Sequence, residues 1–529
     1  MHGLELVVIL GLALLAGSVL ARRLRLAPPI PLLAIGVLLG FVPALREVHL
    51  PPDAVLLLFL PALLYWESLT TSLRGIRRDL RGVLLLGTTL VIATAGVVAT
   101  VAHAFGLGWG AAWVLGAAVA PTDATAVGVF ARSLPRRNVT LLRAESLIND
   151  GTALVVFALA VGITVGEDHL TLPHVSWLFL LSYLGGAAAG ALAAWLGYRI
   201  RRHVNEDPLL ANLTIVLTAF GAFLLAELIE ASGVLAVVVA GLTMSQAGPR
   251  LRGAATRRQA EYFWSLATFL LNGALFVLVG LQVQAAVHDL RGARLGYALA
   301  AVVIVSALVV GTRFAFLFTV PYLIRLLDRR PAQRRRRGSG RSRLVSALCG
   351  FRGAVSLAVA LSVPKALDSG EPFPDRDMII FVTTGVILVT LVVQGLLLPR
   401  VTRWARLPRD TSAAEERLLA ETTAMRDAYR AIPAVAERLG VDPRVARRTR
   451  REYEIHLQVV RADGGEVEDA DALRLDHDYT TLRLALLDHK RATVLRLRDQ
   501  HEIDDAVLLQ LQRRLDIEEV RLRPHDPLE

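Results

Sequence analysis

In the stretch RAESLINDGTALVVF, residues 143–157, Glu145, Ser146, Asn149 and Asp150 fall within six positions of one another at the head of an apolar run. On a helix, positions four apart share a face, so Ser146 stacks with Asp150 and Glu145 with Asn149. Glu145 and Asp150 diverge by about 140° at 3.6 residues per turn. One face therefore offers a cation an oxygen pair, and the second acid is directed to a different partner. Burial disfavours the charged form of a carboxylate, whereas a bound cation favours it. Such a group holds either a cation or a proton, and the two compete.

Other polar residues stand inside apolar blocks. An ionisable side chain near a bilayer centre costs on the order of 2.5–3.5 kcal/mol even on lenient scales, so its default reading is functional. The candidates are Glu67, Asp123, Glu145, Asn149, Asp150, Glu227, Arg313 and Arg352, with Asn272 and Gln394 as weaker polar ones. In APTDATAV, residues 120–127, Pro121 removes a backbone donor and predicts a broken helix. Asp123 would face the positive end of the half-helix that follows. A plain proline kink with Asp123 as a cap is the alternative. In CGFRGAVS, residues 349–356, an arginine between two glycines predicts a second interruption, with Arg352 neutralising a half-helix end. Paired interruptions in the two halves of a membrane body point to the binding site of an inverted-repeat transporter.

The elements that must position these residues follow from composition. Of 529 residues, 54% are hydrophobic and 20% charged, against about one quarter charged in an ordinary soluble domain. Blocks such as 83–102, 176–198 and 379–398 can cross about 30 Å of hydrocarbon as helices. Counting them predicts about thirteen spans in an all-α polytopic membrane protein. The first, residues 4–20, lacks a basic lead and a small-residue cleavage site, which predicts a retained span rather than a signal peptide. Every second joint is basic: Arg22/Arg23/Arg25, Arg74/Arg77/Arg78/Arg81, Arg132/Arg136/Arg137, Arg199/Arg201/Arg202, Arg250/Arg252/Arg257/Arg258 and the run 329–343. The alternate joints, such as 166–169 and 368–377, carry little net charge. Basic residues near span ends stay cytoplasmic, so the alternation predicts an N-terminus outside and a C-terminal tail inside. It also accounts for the net charge of +11 without nucleic acid.

The chain is expected to divide into a transmembrane domain, 1–408, and a cytoplasmic helical tail, 409–529. Helical leucine spacing in the tail runs over 411–432 and 482–520, with Pro443 and Gly464-Gly465 as punctuation. The tail reads as a regulatory or dimer-stabilising domain, or as a solvated appendage. The single cysteine, Cys349, excludes an intrachain disulfide and reads as packing. No phosphate-cradling GxxxxGK[ST] sequence occurs, so the driving energy must come from an ion gradient. An intramembrane aspartyl protease would need Asp123 and Asp150 as its pair, yet neither lies in a Gly-x-Gly-Asp context. A channel is a further alternative.

Three motifs carry a resemblance: APTDATAV at 120–127, ESLINDGTALVVF at 145–157 and FRGAVSLAVAL at 351–361, with LPALLYWESL at 60–69 a looser fourth. Together they resemble the monovalent cation/proton antiporters, in the sodium/proton exchanger branch. The resemblance implies thirteen helices, a dimerisation domain and a mobile core in which two unwound helices cross. It implies no enzyme activity and no cofactor or resident metal, with Na+ and H+ as cargo, a homodimer in the plasma membrane, and a part in pH and sodium homeostasis. Carried over, Asp150 looks like the carboxylate that holds cation or proton, and Asn149 its neighbour. Thr122, Asp123 and Ser146 look like further members of the ion site. Glu145 is similar to an acid that pairs with a buried arginine, with Arg313 favoured over Arg352, which is left as the charge at the crossing. Glu67 resembles an acid at the cytoplasmic approach. The neutral Asn149 implies one cation per proton. Na+, Li+ and K+ would all use the same oxygen ligands.

Overall fold

The computed structural model describes residues 2–24, 26–42, 45, 55–123, 134–166, 172–204, 207–251, 254–289, 295–327, 339–367, 369–407, 410–463 and 470–522. Among them every regular element is a helix, and one isolated antiparallel bridge joins Ala366 and Pro372. It divides into two compact units, Met1–Arg409 and Asp410–Glu529.

In the first unit α1 (His2–Leu24), α2 (Pro29–Leu39), α3 (Leu60–Thr70) and α4 (Leu73–Arg78) come first. Next are α5 (Leu80–Leu84), α6 (Leu90–Ala104), α7 (Trp109–Val119) and α8 (Arg136–Val165). They are followed by α9 (Leu172–Val204), α10 (Pro208–Glu227), α11 (Gly233–Leu251), α12 (Ala254–Asp289) and α13 (Leu295–Leu327). The unit closes with α14 (Gly340–Leu348), α15 (Ala354–Leu361), α16 (Arg376–Val389) and α17 (Gly395–Ala405). Among the described residues, 8 helical stretches are long and apolar enough to cross a membrane, and shorter apolar helices cover Pro29–Leu39, Leu57–Thr70, Trp109–Val119 and Gly233–Gly248.

Helices suit this composition because a bilayer core leaves each backbone amide to be satisfied within its own segment. The ends are capped where the chain leaves the apolar blocks. Asp207 accepts from the amides of Leu209 (2.8 Å) and Leu210 (3.3 Å), with Pro208 at the first helical position. Ser339 caps α14 by accepting from Ser342 N at 3.1 Å. Leucines and tryptophans along α1 and α9, such as Leu4, Leu12, Trp177 and Trp195, point outward, as an apolar solvent permits. Inside, α6 and α7 pack through Ala95, Ala99, Ala111, Ala112, Ala117 and Ala118, all buried. With no hydrophobic drive between helices in lipid, such small residues allow the close backbone approach that holds them together.

Three features position the site. First, α7 stops at Val119 and residues 120–123 are not helical, since Pro121 has no amide to donate. The half-helix expected after Asp123, with residues 124–127 of the motif, lies outside the described residues. Second, α14 and α15 are separated by a non-helical break at 349–353. The two breaks are joined directly: Asp123 N donates to Phe351 O at 2.8 Å. Third, single π-helical turns at Val55–Phe59, Leu85–Thr89 and Thr390–Gln394 widen the helices next to these breaks. Such bulges gather at functional sites.

The second unit holds α18 (Ser412–Arg438), α19 (Pro443–Asp463), α20 (Ala470–Asp499) and α21 (Asp505–Leu522). The leucine spacing expected as one helix over 482–520 is two helices. The chain turns at His501, whose φ is 58°, and Glu502 N closes onto Leu497 O at 2.9 Å before Asp505 starts α21. Pro443 opens α19, where its missing amide costs nothing. Gly464-Gly465, the joint 167–169, Arg25, Arg132, Arg252 and residues 329–338 of the basic run lie outside the described residues.

Candidate ion-binding site

Helix α8 presents two faces to two different surroundings. Ser146 and Asp150 open onto a cavity of about 50 Å3, into which Thr122 and Asp123 of the first break and Gly353 of the second also face. One water needs about 10–15 Å3 on this measure, so there is room for a cation with a small number of waters. The opposite wall comes from α3 and α12: Leu60, Leu63, Leu64, Leu275 and Phe276 are apolar, and Glu67 and Asn272 are polar. Asp150 and Ser146 are buried, and Glu67 is half-buried.

Glu145 and Asn149 face away from this cavity, into a void of about 10 Å3 shared with Thr122, Arg313 and Arg352. That space is too tight for a hydrated ion. Arg313 of α13 places Nη1 on Glu145 Oε1 and donates from Nη2 to Oε2 at 3.1 Å. The same guanidinium donates from Nε and Nη2 to Ser346 O, each at 3.3 Å. Thr122 connects the two sides: its hydroxyl donates to Glu145 Oε1 at 3.3 Å and accepts from Asn149 Nδ2 at 2.6 Å. Asn149 Nδ2 also lies 3.1 Å from Thr122 O, a carbonyl freed by the break.

Arg352 serves the helix ends. Its Nε donates to Val119 O at 3.0 Å, its Nη1 donates to Gly350 O, and its amide reaches Thr390 Oγ1 at 3.4 Å. The last carbonyls of α7 have no partner of their own and carry the negative end of the helix dipole. A buried guanidinium there satisfies both the hydrogen bond and the charge. The glycines around it are required by close approach: a Cβ on Gly353 would strike the Asp123 carboxylate, and one on Gly350 would lie 2.5 Å from Arg313 Cδ.

The structure thus gathers Thr122, Asp123, Ser146, Asp150 and Glu67 around one cavity, and Glu145, Asn149, Arg313 and Arg352 around the adjoining charged layer. Asn272 joins the cavity wall. Gln394 is buried in a π turn with neither amide atom paired. Glu227 takes no part, because α10 ends there and leaves it exposed. Sequence reasoning missed three supports. Thr152 Oγ1 donates to Gly87 O at 2.7 Å, where the π turn frees a carbonyl, and pairs with Tyr183 OH at 2.5 Å. Thr390 stands behind Arg352. Arg376 donates from Nε to Val363 O at 3.0 Å and from Nη2 to Leu361 O at 3.4 Å, closing the end of α15. Only the arginine left a trace, as a basic residue just ahead of the apolar block 379–398.

Two broken helical segments that meet beside buried carboxylates in a multi-pass membrane protein are the arrangement with which secondary transporters build ion sites. The family model described as "Sodium/hydrogen exchanger, transmembrane" matches residues 10–404. The chain belongs to the sodium/hydrogen exchanger family, and its activity is cation/proton exchange. It is 45% identical over 522 residues to a protein named as an uncharacterised Na+/H+ exchanger of Mycobacterium bovis, covering 98% of this chain and 96% of that one. It is 31% identical over 414 residues to the sodium, potassium, lithium and rubidium/H+ antiporter of Bacillus subtilis, covering 75% and 61%. The solved sodium proton antiporter of Methanocaldococcus jannaschii at pH 8 shares the fold, with a TM-score of 0.57 at 20% identity over 76% of this chain and 99% of that one.

Proposed function

We propose that the chain exchanges Na+ for H+, one for one, across the plasma membrane by alternating access, with cation and proton competing for Asp150. The observation that carries this reading is the division of α8: Asp150 and Ser146 face a cavity of about 50 Å3, while Glu145 is held by Arg313 and Asn149 is turned toward Thr122. Thr122, Asp123 and Ser146 complete the ion site, and Glu67 lines the cytoplasmic approach. Each transit carries Asp150 as the cation carboxylate or the protonated acid. The bare anion is costly to move past an apolar barrier and stays put. That restriction couples the two fluxes.

The remaining features of the proposal are thirteen crossings, an outside N-terminus, a cytoplasmic tail beginning near residue 409, and a homodimer. The name of the Bacillus subtilis relative favours a second reading in which K+ and Li+ are also carried. The test is the pH change in everted vesicles on adding each alkali cation, with Asp150→Asn as control. Wild type is expected to respond and the variant to fall silent while still inserted in the membrane; sodium-driven proton flux retained by the variant removes Asp150 from this role. A rate in reconstituted vesicles that varies with clamped potential overturns the one-for-one ratio.

A further inference from the structure

In the second unit a groove of about 450 Å3 runs between α18 and α19. Arg426, Tyr429 and Arg430 line it from α18, one turn apart on one face, and Glu454, Gln458 and Arg461 line it from α19 at helical spacing. Three guanidiniums therefore face one carboxylate. Some arginines elsewhere in this unit are matched to acids, as in Arg417 with Glu421, Arg448 with Glu452, Arg483 with Glu518 and Arg491 with Asp516. The groove arginines make no ion pair or hydrogen bond among the described residues. Arg461 Nε is moreover shielded from solvent with no acceptor in reach. Leaving a charged donor in that condition is costly, and Glu454, the one carboxylate in the groove, does not bond to it.

The back of the groove is fixed. Arg450 donates from Nε to Tyr429 OH at 3.0 Å and sits 5.1 Å from that ring's centroid. Forked guanidiniums converging on one space match the oxygens of a phosphate group. The volume falls within the range of small-ligand sites.

We propose that this groove is a binding site for a phosphate-bearing anion, which would bridge Arg426 and Arg430 of α18 to Arg461 of α19. This inference does not rest on the exchange reading of the first unit. The shared chemistry has two sources, a soluble polyphosphate or the headgroup of an anionic phospholipid. The test uses the full chain in nanodiscs and reads hydrogen exchange across α18 and α19. Pyrophosphate and ATP are titrated into phosphatidylcholine nanodiscs, and phosphatidylglycerol is introduced in a separate series. Saturable protection by the first two probes assigns a soluble ligand, and protection by the third alone assigns a lipid headgroup.

The double variant Arg426→Ala/Arg430→Ala is expected to weaken the response at least tenfold. Glu454→Gln, which removes the groove's own carboxylate, is expected to tighten it several-fold, an outcome that damage to the fold cannot produce. The proposal is overturned if no probe gives a saturable response, if the double variant binds as wild type does, or if Glu454→Gln fails to tighten binding.

Discussion

Arg313 and Glu145, 168 residues apart in the chain, form a two-pronged ion pair buried at the centre of the membrane unit, with side-chain exposures of 2% and 3%. The pair ties α13 to α8. Through Thr122 on one side and the Ser346 carbonyl on the other, it also reaches the first break and the helix that leads into the second. The charged layer next to the cavity is therefore a support for the crossing, and Asp150 stands on the other face of the same helix.

Removing one partner of such a pair leaves an unpaired charge in a low-dielectric interior, which costs about 3–5 kcal/mol. Glu145→Leu and Arg313→Leu are each expected to lower the unfolding temperature sharply in detergent. The double substitution should recover much of that loss, because no orphan charge remains. Strict additivity of the two effects, measured by thermal unfolding, would show that the pair is not coupled.

The two faces of α8 predict opposite kinetic signatures. Ser146→Ala takes one oxygen from the cavity and should raise the KM for the cation several-fold while leaving stability near wild type. Asn149→Asp should behave differently. It places a second carboxylate beside Glu145 and removes the donor to Thr122 O and Oγ1, at a cost on the order of 1–3 kcal/mol for the lost hydrogen bonding. Loss of stability with no gain of a potential-dependent flux is expected. Initial rates under clamped potential, together with melting curves, decide the matter.

Gly353→Ala is expected to abolish or severely slow exchange, because the added methyl lands on the Asp123 carboxylate at the crossing. Gly350→Ala instead presses on Arg313, whose guanidinium is already held by Glu145 and Ser346. Its main effect should be lower stability. Exchange assays and melting temperatures on both variants separate the two outcomes, and normal transport by Gly353→Ala would count against the close contact.

What could be read from the sequence depended on whether the signal was local. Glu145, Ser146, Asn149 and Asp150 announce two helix faces by spacing alone, and Pro121 and the Gly350/Gly353 pair announce two breaks by backbone chemistry. The meeting of those breaks, Asp123 N on Phe351 O, joins residues far apart in sequence and carries no local mark. The π turns were illegible for a different reason: one extra residue in a helical turn alters neither hydropathy nor charge, so Thr152 and Thr390 looked like ordinary polar residues in apolar runs. Glu227 misled because hydropathy extends an apolar block past the residue at which the helix ends. In the tail, leucine periodicity continued through His501 although the backbone does not.

The α20 and α21 pairing supplies a prediction in the second unit. Arg483 donates from Nη2 to Glu518 Oε1 at 2.5 Å and Lys490 lies 3.4 Å from Oε2. The hydrogen bond from Arg483 holds the Glu518 carboxyl below its ordinary value of 4.5, and the charge of Lys490 adds to this. Between that depressed value and 4.5 the unfolded chain holds more protons than the folded pair, so stability rises with pH across the window. The contribution is fully present above 4.5 and is lost as pH falls through the folded value. Protection of the amides across residues 483–518 of the full chain, taken relative to the unstructured exchange rate at each pH, should therefore fall on acidification. Glu518→Gln should exchange faster than wild type at neutral pH and show a flatter dependence on acid; an unchanged pH profile would mean that this carboxylate does not hold the two helices together.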